Sequence, residues 1–204
     1  MTRPRTTGLP LYAFLFFSLA MGALPAEAHL NSTGMGPFYD GLMHFLMSPE
    51  DILPVLALAL LAGLRGANYG RRTLLVLPTG WLVGALAGLT AAAANPHPFI
   101  AAAWFLLLGG LLAADAKLSL RLATALAALL GLYHGYLNGT GLGLFETAAV
   151  ALIGLVFAVF VLIALAAAFV VNLRAQWARI AVRVAGSWIA ASGLLMLGWA
   201  VRTH

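Results

Sequence analysis

His44, Glu50 and Asp51 fall within one short stretch, Gly41-Leu42-Met43-His44-Phe45-Leu46-Met47-Ser48-Pro49-Glu50-Asp51. An imidazole and two carboxylates in so small a space are donors for a metal ion. Imidazole suits Ni, Cu, Zn and Fe, and carboxylate extends the range to harder ions such as Mn. Asp40 lies four residues before His44 and shares a face with it if the segment is helical. His134 and Asn138 are likewise four apart. The chain has no cysteine, so disulfides and thiolate ligands are excluded and a metal must be held by N and O.

The surroundings of these residues make them notable. Charged residues are 8% of the 204, hydrophobic residues 63%, and the mean hydropathy is +0.99. That is the composition of an integral membrane protein, in which ionisable groups beside a span are costly and point to function. The formal charge of +5 and pI of about 10.2 would suggest nucleic acid in a soluble protein. Here most cations flank apolar runs, so topology explains them and no nucleic-acid partner is expected.

Residues 1–28 have the form of a cleavable signal peptide. Arg3 and Arg5 give the charged start, Leu11 to Ala23 the apolar run, and Ala26-Glu27-Ala28 the small-x-small site. Cleavage leaves His29 as the mature N-terminus, where an α-amine and an imidazole together chelate a metal.

The rest, 29–204, reads as one all-α transmembrane domain. Its apolar runs predict a six-helix bundle with spans at about 49–64, 73–94, 98–114, 118–137, 144–171 and 177–200. Arg65, Arg71, Arg72, Lys117, Arg121, Arg174, Arg179 and Arg183 all fall in alternate loops, which the positive-inside rule places in the cytoplasm. The expected site is the inner membrane of a bacterium, with both mature termini in the periplasm. His29, Asp40, His44, Glu50, Asp51, His97, His134, Glu146 and His204 then gather at the outer face.

Ser48-Pro49-Glu50-Asp51 reads as a helix start, with Ser48 at the N-cap, Pro49 at N1 and acids in the first turn. The helix it opens is short for a bilayer, about 24 Å over 16 residues at 1.5 Å each. Residues 37–47 are therefore expected to form a short or re-entrant segment before the first span. A break at Ser48 would fold His44 over Glu50 and Asp51. The other reading is that the acids only favour the helix dipole. Pro54 removes a helical hydrogen bond and frees the Glu50 carbonyl. Two glycine stripes, Gly80/Gly84/Gly88 and Gly131/Gly135/Gly139, mark close helix packing, and the second brackets His134.

These features resemble the HupE/UreJ family of hydrogenase and urease accessory membrane proteins. The family opens its first span on His-x5-Asp-His. Here the positions are His44, Glu50 and Asp51. A second family motif is similar to Phe-His-Gly-His-Ala-His-Gly, read here as Tyr133-His134-Gly135-Tyr136-Leu137-Asn138-Gly139. The resemblance implies a cleaved signal, six spans and an association with nickel uptake.

The expected function is a permease for a divalent transition metal, drawn from Ni, Co, Cu, Fe, Mn and Zn. The expected metal ligands are His44, Glu50, Asp51, Asp40, His134 and His29. The alternative is an accessory protein that delivers metal to a metalloenzyme or its maturation factors without transport. No Gly-x4-Gly-Lys-Ser/Thr motif occurs, so hydrolysis of ATP by that route is excluded. No nucleophile–base spacing suggests an enzyme. His44 and His134 are also the pair a haem would require.

Overall fold

The computed structural model describes residues 33–92, 94, 97–143 and 146–203. The signal segment, His29 and His204 lie outside the described residues. Seven helices make up the described chain: α1 (Pro37–Met47), α2 (Pro49–Arg65), α3 (Ala67–Gly88), α4 (Pro98–Ala113), α5 (Leu120–Leu142), α6 (Ala148–Val171) and α7 (Gln176–Thr203).

Three of them, α5, α6 and α7, are long and apolar enough to cross a membrane. The pair α1 and α2, bent by 74° at Ser48, is a fourth if counted as one broken span. The remaining two apolar runs are also helices but fall short for separate reasons. Asn68, Arg71 and Arg72 dilute the start of α3. α4 is apolar throughout but has only 16 residues.

The joint at Ser48 differs in one detail from a simple cap. Ser48 has the extended backbone of an N-cap and Pro49 follows at N1, but the Ser48 hydroxyl makes no cap bond to α2. It donates instead to the His44 carbonyl at 2.7 Å, while the Ser48 carbonyl accepts from Asp51 and Ile52. One residue thus closes α1 and opens α2. At the other end Gly66, with φ 109, turns the chain straight into α3, a conformation that only glycine adopts without strain.

α2 is apolar on every side, and such a helix belongs in an interior. It touches all six other helices. Val55, Ala57 and Ala59 are fully buried, and Leu58 and Leu61 nearly so. Its shortness follows: protein, not lipid, surrounds it.

Around α2 the most intimate pairs are α3 with α5, α4 with α7, and α1 with α6. Each is made by glycine. In α1 and α6, a Cβ on Gly41 would strike the Ala151 carbonyl and one on Gly154 the Phe38 carbonyl. In α3 and α5 the two glycine stripes face each other, Gly84 and Gly88 against the Leu132 and Tyr136 carbonyls, and Gly131, Gly135 and Gly139 against Leu77, Trp81 and Ala85. Backbones in contact gain dispersion energy that side chains would otherwise hold apart.

The cation-rich end is tied by side chains. Arg65, at the end of α2, pairs with Asp115 in the α4–α5 loop. Tyr69 donates to the Leu118 carbonyl at 3.0 Å and Arg183 to the Ala113 carbonyl at 3.0 Å. Asp115 holds a left-handed φ of 51, which costs a non-glycine residue energy that the ion pair offsets. Asp115→Ala is expected to cost about 1–2 kcal/mol, lowering the melting midpoint in detergent by roughly 2–8 °C. Asp115→Asn is expected to lose less, because asparagine tolerates this backbone region.

Candidate functional site between α2 and α5

Glu50 and Asp51 are adjacent on a helix, so their side chains diverge. Glu50 is exposed and Asp51 is 4% exposed. The inward face of α2 meets α5 there, and α5 presents His134 and Asn138 one turn apart. His134 Nδ1 lies 2.7 Å from Asp51 Oδ1, and Asn138 Nδ2 donates to Asp51 Oδ2 at 3.0 Å. Asn138 Nδ2 also donates to the His134 carbonyl at 2.9 Å.

An ionised carboxylate only accepts hydrogen bonds. Facing Asp51, the imidazole therefore presents Nδ1–H and the amide presents its NH2. This assigns the tautomer and the amide orientation from the network. With the imidazole neutral, the atoms left over are His134 Nε2 and Asn138 Oδ1, both lone-pair acceptors. Both are buried and have no hydrogen-bond partner.

An aromatic collar closes round them. The Trp81 ring of α3 lies 5.6 Å from the His134 ring, tilted by 30°. Phe45 of α1 meets Trp81 edge-on at 5.8 Å. Trp104 of α4 and Tyr133 of α5 stand 6.4 Å and 5.1 Å from His134. Trp81 reaches this position because Gly135 lets its backbone press against α5. Trp81 Nε1 and the Tyr133 hydroxyl are also buried without partners. Four of the five such atoms among the described residues thus belong to this one cluster.

Of the residues expected from the sequence, the fold brings Asp51 and His134 together. Asp40 is committed elsewhere: its carboxylate accepts from the Thr33 amide at 2.6 Å and the Thr33 hydroxyl at 2.7 Å. His44 is half-buried on α1, and Glu50, Glu146 and His97 are exposed. Among the described residues no three His, Asp or Glu side chains gather as a ready-made metal cage. Asn138 is the residue the sequence undervalued, since Asn-Gly reads as a turn whereas here it lies inside α5, 9% exposed. Its spacing from His134 was the signal that pointed to it.

The profile of the family described as HupE / UreJ protein matches residues 17–196, from ahead of α1 through most of α7. The chain belongs to the HupE/UreJ family. No curated protein and no solved structure matches it. HupE/UreJ proteins are membrane transporters and not enzymes, and the long apolar helices make this member a multi-pass membrane protein.

Proposed function

We propose that this protein is an inner-membrane permease for a divalent transition metal, nickel or a related ion such as cobalt. The ion is received at the outer ends of α2 and α5. One observation carries this reading: buried His134 is held by a carboxylate at Nδ1 and has Nε2 unpartnered. Metal-binding histidines are typically oriented in this way by a carboxylate behind them. The family supports a metal cargo, and the asymmetry of the cations supports the orientation, with Arg65, Arg71, Arg72 and Arg179 at the opposite, cytoplasmic end. α3 and α4 complete a bundle of six spans. Asp40, His44 and Glu50 lie on α1 and at the start of α2, and acids at this end raise the local cation concentration.

Movement inward is favoured by the membrane potential, at about 2.3 kcal/mol per charge per 100 mV. The route from Asp51 to Arg65 has no polar side chain on α2, and its core is closed in this conformation. Passage therefore requires α2 to move, and Pro54 and the 74° bend at Ser48 are where its hydrogen bonding is already interrupted. The same closed core favours a second reading, an accessory protein that holds metal at the outer face for a metalloenzyme.

His134→Ala separates the two. A permease is expected to lose at least about tenfold in metal affinity and to lose accumulation of the ion in cells. Lost binding with unchanged accumulation would leave the accessory reading in its place.

A further inference from the structure

We propose that the cation-rich end of the bundle binds an anionic phospholipid, whose phosphate is held by Arg179 and Arg183 of α7. This rests on the spans alone and not on the metal reading. Three guanidiniums meet where α2 and α4 end and α7 begins. Arg65 closes α2 and pairs with Asp115. Arg179 reaches the Leu64 carbonyl, next to Arg65, at 3.5 Å, and Arg183 Nε donates to the Ala113 carbonyl, two residues before Asp115, at 3.0 Å. The one carboxylate of this junction is thus taken by Arg65. Among the described residues neither Arg179 nor Arg183 pairs with an acid, so two positive charges are left over. Arg65 Nε, buried and without a partner, is a further unused donor at the same place.

The surroundings favour a lipid over a partner from the water phase. Arg179 and Arg183 are four apart on one face of α7, a helix long and apolar enough to cross the membrane. Arg183 therefore lies about 6 Å further along the span than Arg179. It is exposed, and so are its apolar neighbours Ile180 and Val184. An exposed cation among exposed apolar side chains on a spanning helix meets lipid, where an unpaired charge is costly. The opposite charge available there is a headgroup phosphate, and basic pockets between spanning helices suit anionic headgroups. A guanidinium holds phosphate through paired N–H bonds, and Arg183, bonded to Ala113 through Nε, keeps its terminal N–H groups for that use. Trp177, exposed in the first turn of α7, is the kind of aromatic that sits at headgroup level. An acidic protein would instead select cations that project into water, whereas these two lean back on the carbonyls that end α2 and α4.

The test uses the full chain purified in detergent and equilibrated with equal amounts of phosphatidylglycerol and phosphatidylcholine, with the retained lipid counted by native mass spectrometry. The wild type is expected to favour phosphatidylglycerol at least about tenfold, and Arg183→Gln, a change at an exposed side chain, to lose about fivefold of that preference. Arg179→Gln/Arg183→Gln is expected to lose nearly all of it. Arg71→Gln/Arg72→Gln removes as much charge from the exposed start of α3 and is expected to keep it. No preference in the wild type, or an unchanged preference in Arg183→Gln, would overturn the proposal. An equal loss in Arg71→Gln/Arg72→Gln would do so too, because net charge and not a site would then be at work. Release of the lipid by millimolar inorganic phosphate, or saturable binding of a polyglutamate peptide in its place, would give the site to a different occupant and overturn it as well. None of these results bears on metal binding, so the permease reading stands or falls separately.

Discussion

Asp51→Asn is expected to lower metal affinity ten- to a hundredfold while leaving the fold nearly as stable as the wild type. The reason is a count of acceptors. The Asp51 carboxylate presents two, one to His134 Nδ1–H and one to Asn138 Nδ2–H. An amide presents one acceptor and one donor. Turned one way, its NH2 faces His134 Nδ1, and the imidazole must move its proton to Nε2 and lose the ligating lone pair. Turned the other way, its NH2 faces the Asn138 amide, which must present Oδ1 to it and lose that lone pair instead. Either arrangement retains hydrogen bonds but takes away one of the two bare lone pairs. Asp51→Leu is the contrasting case. It leaves two buried donors without a partner, at about 1–3 kcal/mol each, so stability falls by roughly 2–5 kcal/mol as well. Melting in detergent together with a nickel titration reads both effects. Metal affinity unchanged in Asp51→Asn would show that the carboxylate does not orient the ligands.

The helices were legible in the sequence because each apolar run is bounded by residues with a physical reason to stop or start a helix. Ser48-Pro49 opens α2, Gly66 ends it, and Pro98 opens α4. The pairing of His134 with Asn138 was legible too, since spacing within one helix fixes which side chains share a face. Partners on different helices were not. Glu50 and Asp51 look equivalent along the chain, and only the packing of α5 against one face of α2 separates an exposed acid from a buried one. His44 was expected over Asp51 because a break at Ser48 allowed it. The break is present as a 74° bend, and glycine contacts seat α1 against α6. The shortness of α2 was visible along the chain, and burial in protein is what accommodates it. That six neighbours surround it is a tertiary fact that no local pattern encodes.

Gly135→Val is expected to be among the most damaging changes on α5, where only Gly139 is as tightly crowded by backbone. At this position a Cβ meets the Trp81 carbonyl oxygen, carbonyl carbon and Cα, all of them backbone. A crowded side chain can rotate away, but a crowded backbone can yield only if the whole of α3 shifts. α3 cannot shift at one level alone, because Gly84 and Gly88 are pressed against the Leu132 and Tyr136 carbonyls further along the same seam. Overpacking of this kind costs about 1–3 kcal/mol and at times more, and the second methyl of valine adds to it. The displacement also lifts the Trp81 ring from His134, so metal affinity should fall together with the melting midpoint. Gly141→Ala is the control. It lies on the same helix, a Cβ there meets nothing within 4 Å, and alanine suits a helix better than glycine by roughly 0.5–1 kcal/mol. It should leave stability unchanged or raised, and metal affinity untouched. If both variants bound metal like the wild type, the close approach of α3 and α5 would be packing alone. If only Gly135→Val lost binding, the glycine stripe would be part of what positions His134.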